Sequence, residues 1–184
     1  SHLKGQIEWP SLQGPHNLQN VAVAVALVEA LGITENQWRP ALKSFKSFAH
    51  RMEIVAERNG VLFVNDSKAT NPASTAPALA AYPRVHWIVG GLPKGEDLNE
   101  CAPNFGHVVK AYTIGEAGPL FSKLLSPFLP VESCEMIGSA VHSAAAQAQP
   151  GDVVLLSPAC ASFDQFKDFE ARGDAFKAIV EALP

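Results

Sequence analysis

Val61-Leu62-Phe63-Val64-Asn65-Asp66-Ser67-Lys68-Ala69-Thr70-Asn71-Pro72 is the stretch on which the fold turns. Its first half is a β-branched and aromatic run of strand length. Its second half is polar and closes on Asn-Pro, which fits a helix cap with proline at the first helical position. Strand, polar loop and helix start make the opening of an open α/β unit. Such sheets bind ligands beyond the carboxyl ends of their strands. Two other runs end the same way. Val85–Val89 runs into Gly90-Gly91-Leu92-Pro93-Lys94-Gly95, and Val153–Leu156 into Ser157-Pro158-Ala159-Cys160-Ala161-Ser162. Lysines, hydroxyls and glycines at three such ends point to one anion-binding edge assembled from distant parts of the chain.

Just upstream, 53–58 and 61–65 read as a hairpin around Asn59-Gly60, a strong turn signal. Downstream, strands and helices alternate. Helices are predicted at 72–81, 116–125, 139–148 and 171–182, and strands at 85–89, 108–114, 132–136 and 152–156. That alternation argues an α/β fold, a mostly parallel sheet with helices on both faces. The first part of the chain differs. Residues 1–14 read as an extended arm. A helix is predicted from Asn17 to Leu31, with Gly32 as its stop, and a second from Thr34 to Phe45, with Gln37 in capping-box position. These helices have no strands between them and read as the edge of another domain. The expected division is 1–46 and 47–184.

Composition narrows the function. The chain has 184 residues, 47% of them hydrophobic, enough for one full core. A net charge of −4 with no basic run argues against nucleic-acid binding. The longest apolar stretch, Val21 to Val28, is too short to span a bilayer. No charged start followed by an apolar block marks a signal peptide. Three cysteines, none paired at metal-ligand spacing, fit a reducing cytoplasm, not a disulfide scaffold or zinc site.

The motifs suggest chemistry of different specificity. A helix start at Asn71-Pro72 favours anions, Lys68 adds a charge and Thr70 a hydroxyl. Equally, Asp66 and Lys68 could form a surface pair while Asn71 merely caps. Gly90–Gly95 is not a Walker loop, because Lys94 is followed by glycine. It is either a plain glycine turn or a lysine delivered to a carboxylate at the strand ends. Cys160 has no histidine placed beside it by sequence, and Gly-x-Ser-x-Gly is absent, so nucleophilic hydrolysis is unsupported. Ser162 is simpler as an anion donor. Phe163, Phe166 and Phe169 suit a core or a pocket wall. Asn17 and Asn20 share a helix face and could read a base edge, or simply cap. His50-Arg51 sits at the expected domain joint, where Arg51 could reach a phosphate or stay solvated.

Taken together, His16-Asn17-x-x-Asn20, His50-Arg51, Asp66-Ser67-Lys68-Ala69-Thr70-Asn71, Gly90-Gly91-x-x-Lys94 and Ser157-Pro158-Ala159-Cys160-Ala161-Ser162-x-Asp164-Gln165-Phe166 resemble the Mur ligase family. Within it they are most similar to the branch that adds D-glutamate. Order and spacing fit from about residue 14 onward, with Pro93 a departure from the family pattern. The resemblance implies a Rossmann-like C-terminal domain preceded by a short helical remnant of a central ATPase domain. It implies a cytoplasmic step of peptidoglycan precursor synthesis, with ATP and Mg2+ as cofactors and UDP-N-acetylmuramoyl-L-alanine and D-glutamate as substrates. Lys68, Thr70, Lys94 and Ser162 would hold D-glutamate, with Phe163 and Phe169 lining its pocket. Asn17, Asn20, His50, Arg51 and Asp66 would serve the nucleotide, Arg51 and Asp66 being the residues nearest the chemistry. The family's UDP-binding domain, its phosphate loop and most magnesium ligands have no counterpart here. No metal ligand is therefore expected in this chain, and activity is expected only together with the remainder of a ligase. A free-standing dicarboxylate-binding module and a fragment of a folylpolyglutamate synthetase-like ligase are the alternatives.

Overall fold

A computed structural model describes residues 5–184. The expected alternation is present. Among the described residues, six α-helices and six strands run in the order α1 (Pro15–Ala30), α2 (Glu35–Ser44), β1 (Glu53–Arg58), β2 (Val61–Asn65), α3 (Pro72–Leu79), β3 (Val85–Gly90), β4 (Val108–Ile114), α4 (Gly118–Leu125), β5 (Val131–Glu135), α5 (Ile137–Gln147), β6 (Val153–Leu156) and α6 (Phe169–Glu181). Helix and strand ends differ from the sequence expectation by at most two residues, mostly where caps and frayed turns decide them. A 3-10 segment, Asn99–His107, was not expected; Pro103 and Gly106 lie within it and keep it from becoming an α-helix.

The sheet has the order β1-β2-β6-β3-β4-β5. Only β1 and β2 are antiparallel, joined by the predicted Asn59-Gly60 turn with both residues at positive φ. All other pairs are parallel. The last strand, β6, is inserted between β2 and β3. Three strands from distant sequence are thereby neighbours, and their carboxyl ends stand side by side.

Period-two alternation sorts each strand between two layers. On β3, Val85, Trp87 and Val89 face a layer containing Leu79 of α3, Phe121 and Leu125 of α4 and Cys101. Ile88, with Tyr112, Val154 and Leu156, faces Ile137 and Val141 of α5 and Phe176 and Val180 of α6. Both faces of β3 are buried, which explains why its sequence is apolar but for His86. His86, also on β3, is made tolerable in the core by partners: its ring nitrogens lie 2.9 Å from the Tyr112 hydroxyl and 3.1 Å from Asp152.

The first fourteen residues correct the expectation of an extended arm. Residues 1–4 lie outside the described residues; Gln6–Glu8 and Pro10–Leu12 form 3-10 turns around a fully buried Trp9. The reason is local polar closure. Gln6 Nε2 donates to the Leu12 and Gly14 carbonyls, and Gln13 Nε2 to those of Gln6 and Trp9. Trp9 packs with Leu12, Val21, Val25 and Trp38 in a small cluster apart from the two sheet layers. α2 opens with the predicted Thr34/Gln37 capping box. Among the described residues no helix is long and apolar enough to cross a membrane.

Candidate functional site

The three loops at the ends of β2, β6 and β3 knit together by backbone bonds. Asp66 N donates to Leu156 O at 2.8 Å, Gly90 N to Pro158 O at 2.9 Å, and Leu92 and Ala161 exchange a pair of bonds at 2.9 and 3.0 Å. This packing needs Gly90 and Gly91. Both have φ near 130°, and a Cβ on Gly90 would collide with the Ile114 carbonyl. The β3 loop is therefore a close-approach turn whose free end carries Lys94.

Asp66 is 5% exposed. Its carboxylate accepts the Ser157 hydroxyl at 2.8 Å and the Met52 N–H at 3.1 Å, with the Thr75 hydroxyl 3.1 Å from Ser157 Oγ. Burial outweighs those hydrogen bonds and a more distant Arg51, and pushes the Asp66 carboxyl up to about 7. Asn71 caps α3 as expected, accepting from Ser74 N at 2.8 Å.

Lys68 and Arg51 face a hollow of about 240 Å3, together with His16, Asn17, Asn20 and Asp66. Asn17 Nδ2 donates to Gln13 O at 3.0 Å. His16 Nδ1 is buried without a hydrogen-bond partner, and burial, then the Arg51 charge, lowers the pKa of that ring. Lys68 and Arg51 also line an adjoining hollow of about 550 Å3 with Phe48, His50 and Phe169. There the Lys68 ammonium sits 4.4 Å from the Phe169 ring centroid. The two hollows share their cations.

The other candidates sit around this centre unequally. Lys94 Nζ donates to Thr70 Oγ1 at 3.1 Å, joining the β3 and β2 loops. Ser162 is 2% exposed, next to the Ala161–Leu92 bridge. Phe163 is 68% exposed, and neither it, Lys94 nor Ser162 lines the two hollows that hold Lys68. The His50 ring is turned inward: its Nδ1 lies 3.1 Å from Asn65 Nδ2, its edge meets Phe169, and Asp174 is 3.8 Å from Nε2. His50 and Met52 both have positive φ, so the backbone makes a tight turn that leaves Arg51 between them facing the cavity.

Two groups escaped the sequence reading. Ser157 was grouped with an anion loop, yet its hydroxyl serves Asp66. Arg172 was not singled out at all. It is 1% exposed and donates from Nε to Ser67 Oγ, from Nη1 to Ala161 O and from Nη2 to Ser67 O and Cys160 O. One signal was available: position 172 shares a helix face with the apolar Phe169, Phe176 and Val180. An arginine on an apolar stripe needs buried partners.

The arrangement suits anions. Two lysines, an arginine, hydroxyls and the N-terminus of α3 converge on one edge. Planar amides at Asn17 and Asn20 border the same cavity as Arg51. A divalent metal fits poorly. Mg2+ asks for several oxygen ligands, whereas Asp66, the one carboxylate lining the smaller hollow, is engaged by Ser157 and Met52. Among the described residues no group of three His, Cys, Asp or Glu side chains could hold a metal ion.

Residues 50–160 match the family model described as Mur ligase, glutamate ligase domain. The UDP-N-acetylmuramoylalanine–D-glutamate ligase of Novosphingobium aromaticivorans is 70% identical over 183 residues, covering 100% of this chain and 41% of the relative. The ligase of the same name from Zymomonas mobilis is 54% identical, over 97% of this chain and 41% of its own length. The chain thus spans about two fifths of these relatives. Among solved structures, UDP-N-acetylmuramate–alanine ligase from Thermotoga maritima superposes with a TM-score of 0.63 at 16% identity, over 92% of this chain and 38% of that one. A Mycobacterium tuberculosis folylpolyglutamate synthase complexed with ADP gives 0.59 at 16%, over 91% and 41%. At such identities the likeness concerns the fold alone.

Proposed function

Since the chain belongs to the Mur ligase family through its glutamate ligase domain, we propose that it forms the C-terminal part of an ATP-dependent ligase. That ligase joins D-glutamate to UDP-N-acetylmuramoyl-L-alanine in peptidoglycan precursor synthesis. Residues 1–46 are the end of a central ATP-binding domain and 47–184 the amino-acid-binding domain. A cytoplasmic location follows from this role. The observation that carries the proposal is the convergence of the three strand ends, with Lys94 bonded to Thr70 across two loops and Lys68 standing beside Arg51.

In this reading the carboxylate of the UDP-linked substrate is first phosphorylated by ATP. The amine of D-glutamate then attacks the acyl carbon. A C–N bond forms, the C–O bond to phosphate breaks, and the ammonium protons are shed as the amide forms. Lys68, Thr70, Lys94 and Ser162 grip the two carboxylates of D-glutamate, with Phe169 beneath Lys68 and Phe163 at the rim. A dianion in a partly dehydrated site needs such cations. Their contribution is orientation: the amine is held against the acyl phosphate, which turns a collision into an internal step. Asn17 and Asn20 lie toward the base, Arg51 toward phosphate, and Asp66 behind it. His50 serves the nucleotide indirectly, by shaping the turn that presents Arg51. Mg2+ would be held elsewhere in the longer enzyme.

The test is kinetic. In the full-length ligase, Lys94→Ala and Ser162→Ala raise the KM for D-glutamate far more than the KM for ATP. Equal effects on both substrates would remove the assignment. Calorimetry with D- and L-glutamate checks the ligand and its handedness together.

A further inference from the structure

Arg172 is a buried guanidinium that forms no ion pair among the described residues. Four of its N–H groups go to protein oxygens: three carbonyls and one hydroxyl. Burial lowers its pKa to about 10, with Asp164 acting on it only through space. Taking a cation out of water without a direct ion pair is expensive. Something in the local geometry must require it.

What it requires is visible in the acceptors. Ser67 immediately precedes Lys68. Cys160 and Ala161 immediately precede Ser162. Ala161 in turn is bridged on both sides to Leu92, two residues before Lys94. A methyl added to Gly91 would come within 2.9 Å of Arg172 Nη1, so the β3 loop lies directly on the guanidinium. Ser67 Oγ, while accepting from Arg172, donates to Phe169 O at 2.8 Å and ties in the helix start whose ring lies under Lys68. One planar fork thus underlies all three loops that carry the cationic rim. Lysine could not reproduce it: an ammonium is a point charge with three donors, not a rigid array of five.

We propose that Arg172 is a positioning residue for dicarboxylate binding, setting the spacing of Lys68, Lys94 and Ser162 without touching the ligand. The proposal rests on the reading under Proposed function.

The test uses the full-length ligase with Arg172→Gln, Arg172→Lys, Ser67→Ala and, in parallel, Lys94→Ala. Arg172→Gln is expected to raise the KM for D-glutamate roughly ten- to hundredfold, the scale of small misplacements in a site. The KM for ATP stays near its parent value. Arg172→Lys recovers part of the loss, because charge returns without the fork. Ser67→Ala keeps the charge and removes one acceptor, and gives a smaller shift in the same direction; it decides the matter if Arg172→Gln does not fold. A parallel rise in every KM, or no change in that for D-glutamate, overturns the positioning role. If Lys94→Ala shifts the D-glutamate KM and the Arg172 and Ser67 variants do not, only this inference fails. If none of them shifts it, the dicarboxylate reading fails as well.

Discussion

Replacing Gly173 by alanine sets two physical effects against each other, and the structure decides the winner. Gly173 is in the interior of α6, with φ in the ordinary helical range. On propensity alone, Gly173→Ala should stabilise by about 1 kcal/mol. The new methyl, however, would overlap His50 Nδ1 and lie 3.0 Å from both Asn65 Nδ2 and His50 Cε1. The ring has little room to yield. Asn65 holds it at 3.1 Å, Phe169 meets it edge-on with centroids 6.0 Å apart, and its own amide is fixed to Glu53 at 2.9 Å. Displacing it forfeits a hydrogen bond, about 1 kcal/mol, and adds overpacking of about 1–3 kcal/mol. The net expectation is a loss of about 1–3 kcal/mol, or a fall in Tm of roughly 2–12 °C for a chain of this size. Urea and thermal unfolding of the 184-residue chain measure it. The decisive comparison is the same substitution in a His50→Ala background. With the ring gone, alanine at 173 should be neutral or stabilising. A Gly173→Ala chain as stable as the parent, or an unchanged loss in the His50→Ala background, refutes the steric argument.

Asp66 has its folded pKa raised from 3.8 to about 7, so the native state prefers the neutral acid. Its stabilising contribution is full below the unfolded value and is lost as pH rises through the folded one. The stability of the parent relative to Asp66→Asn should therefore decline from about pH 4 to pH 7 and level off above; a flat difference in urea midpoints across that window contradicts this. Glu132 is held down to about 2, first by Lys110 and then by Ser143, yet its side chain is 34% exposed. Solvent screening should leave Lys110→Ala costing less than about 1 kcal/mol, and a larger urea shift would show that the Lys110–Glu132–Gln147 network counts as a unit. Asp152 is buried and accepts from Arg84 at 2.6 Å, from Gln149 N at 3.0 Å and from His86. Asp152→Ala should cost about 1–3 kcal/mol by leaving the buried His86 ring and the Gln149 N–H without their acceptor, the exposed Arg84 turning to solvent, checked by chemical unfolding.

Much of the fold was legible because the relevant signals are local. Asn59-Gly60 dictates a tight hairpin whatever surrounds it. Asn71-Pro72 and the Thr34/Gln37 box mark helix starts through bonds spanning three residues. The early segment was misread because its closure depends on glutamine side chains reaching six to eight residues along, and on a tryptophan finding a pocket in α1 and α2. No propensity encodes that.

For the candidate site, the sequence by itself determined which chemistry was on offer: lysines, hydroxyls, glycines and an arginine, each at the carboxyl end of a strand or a tight turn. Spacing along the chain could not say that β6 inserts between β2 and β3, because strand pairing is settled by long-range burial of two apolar faces. Nor could it say which polar side chain would be consumed inside. Asp66 and His50 were available as ligands in sequence, and tertiary packing drew the one toward Ser157 and the other toward Asn65. Arg172 shows the same division most plainly. Its charge and its place on the apolar side of a helix are written in the chain, but its role depends on three loops arriving over it, which only the folded sheet arranges.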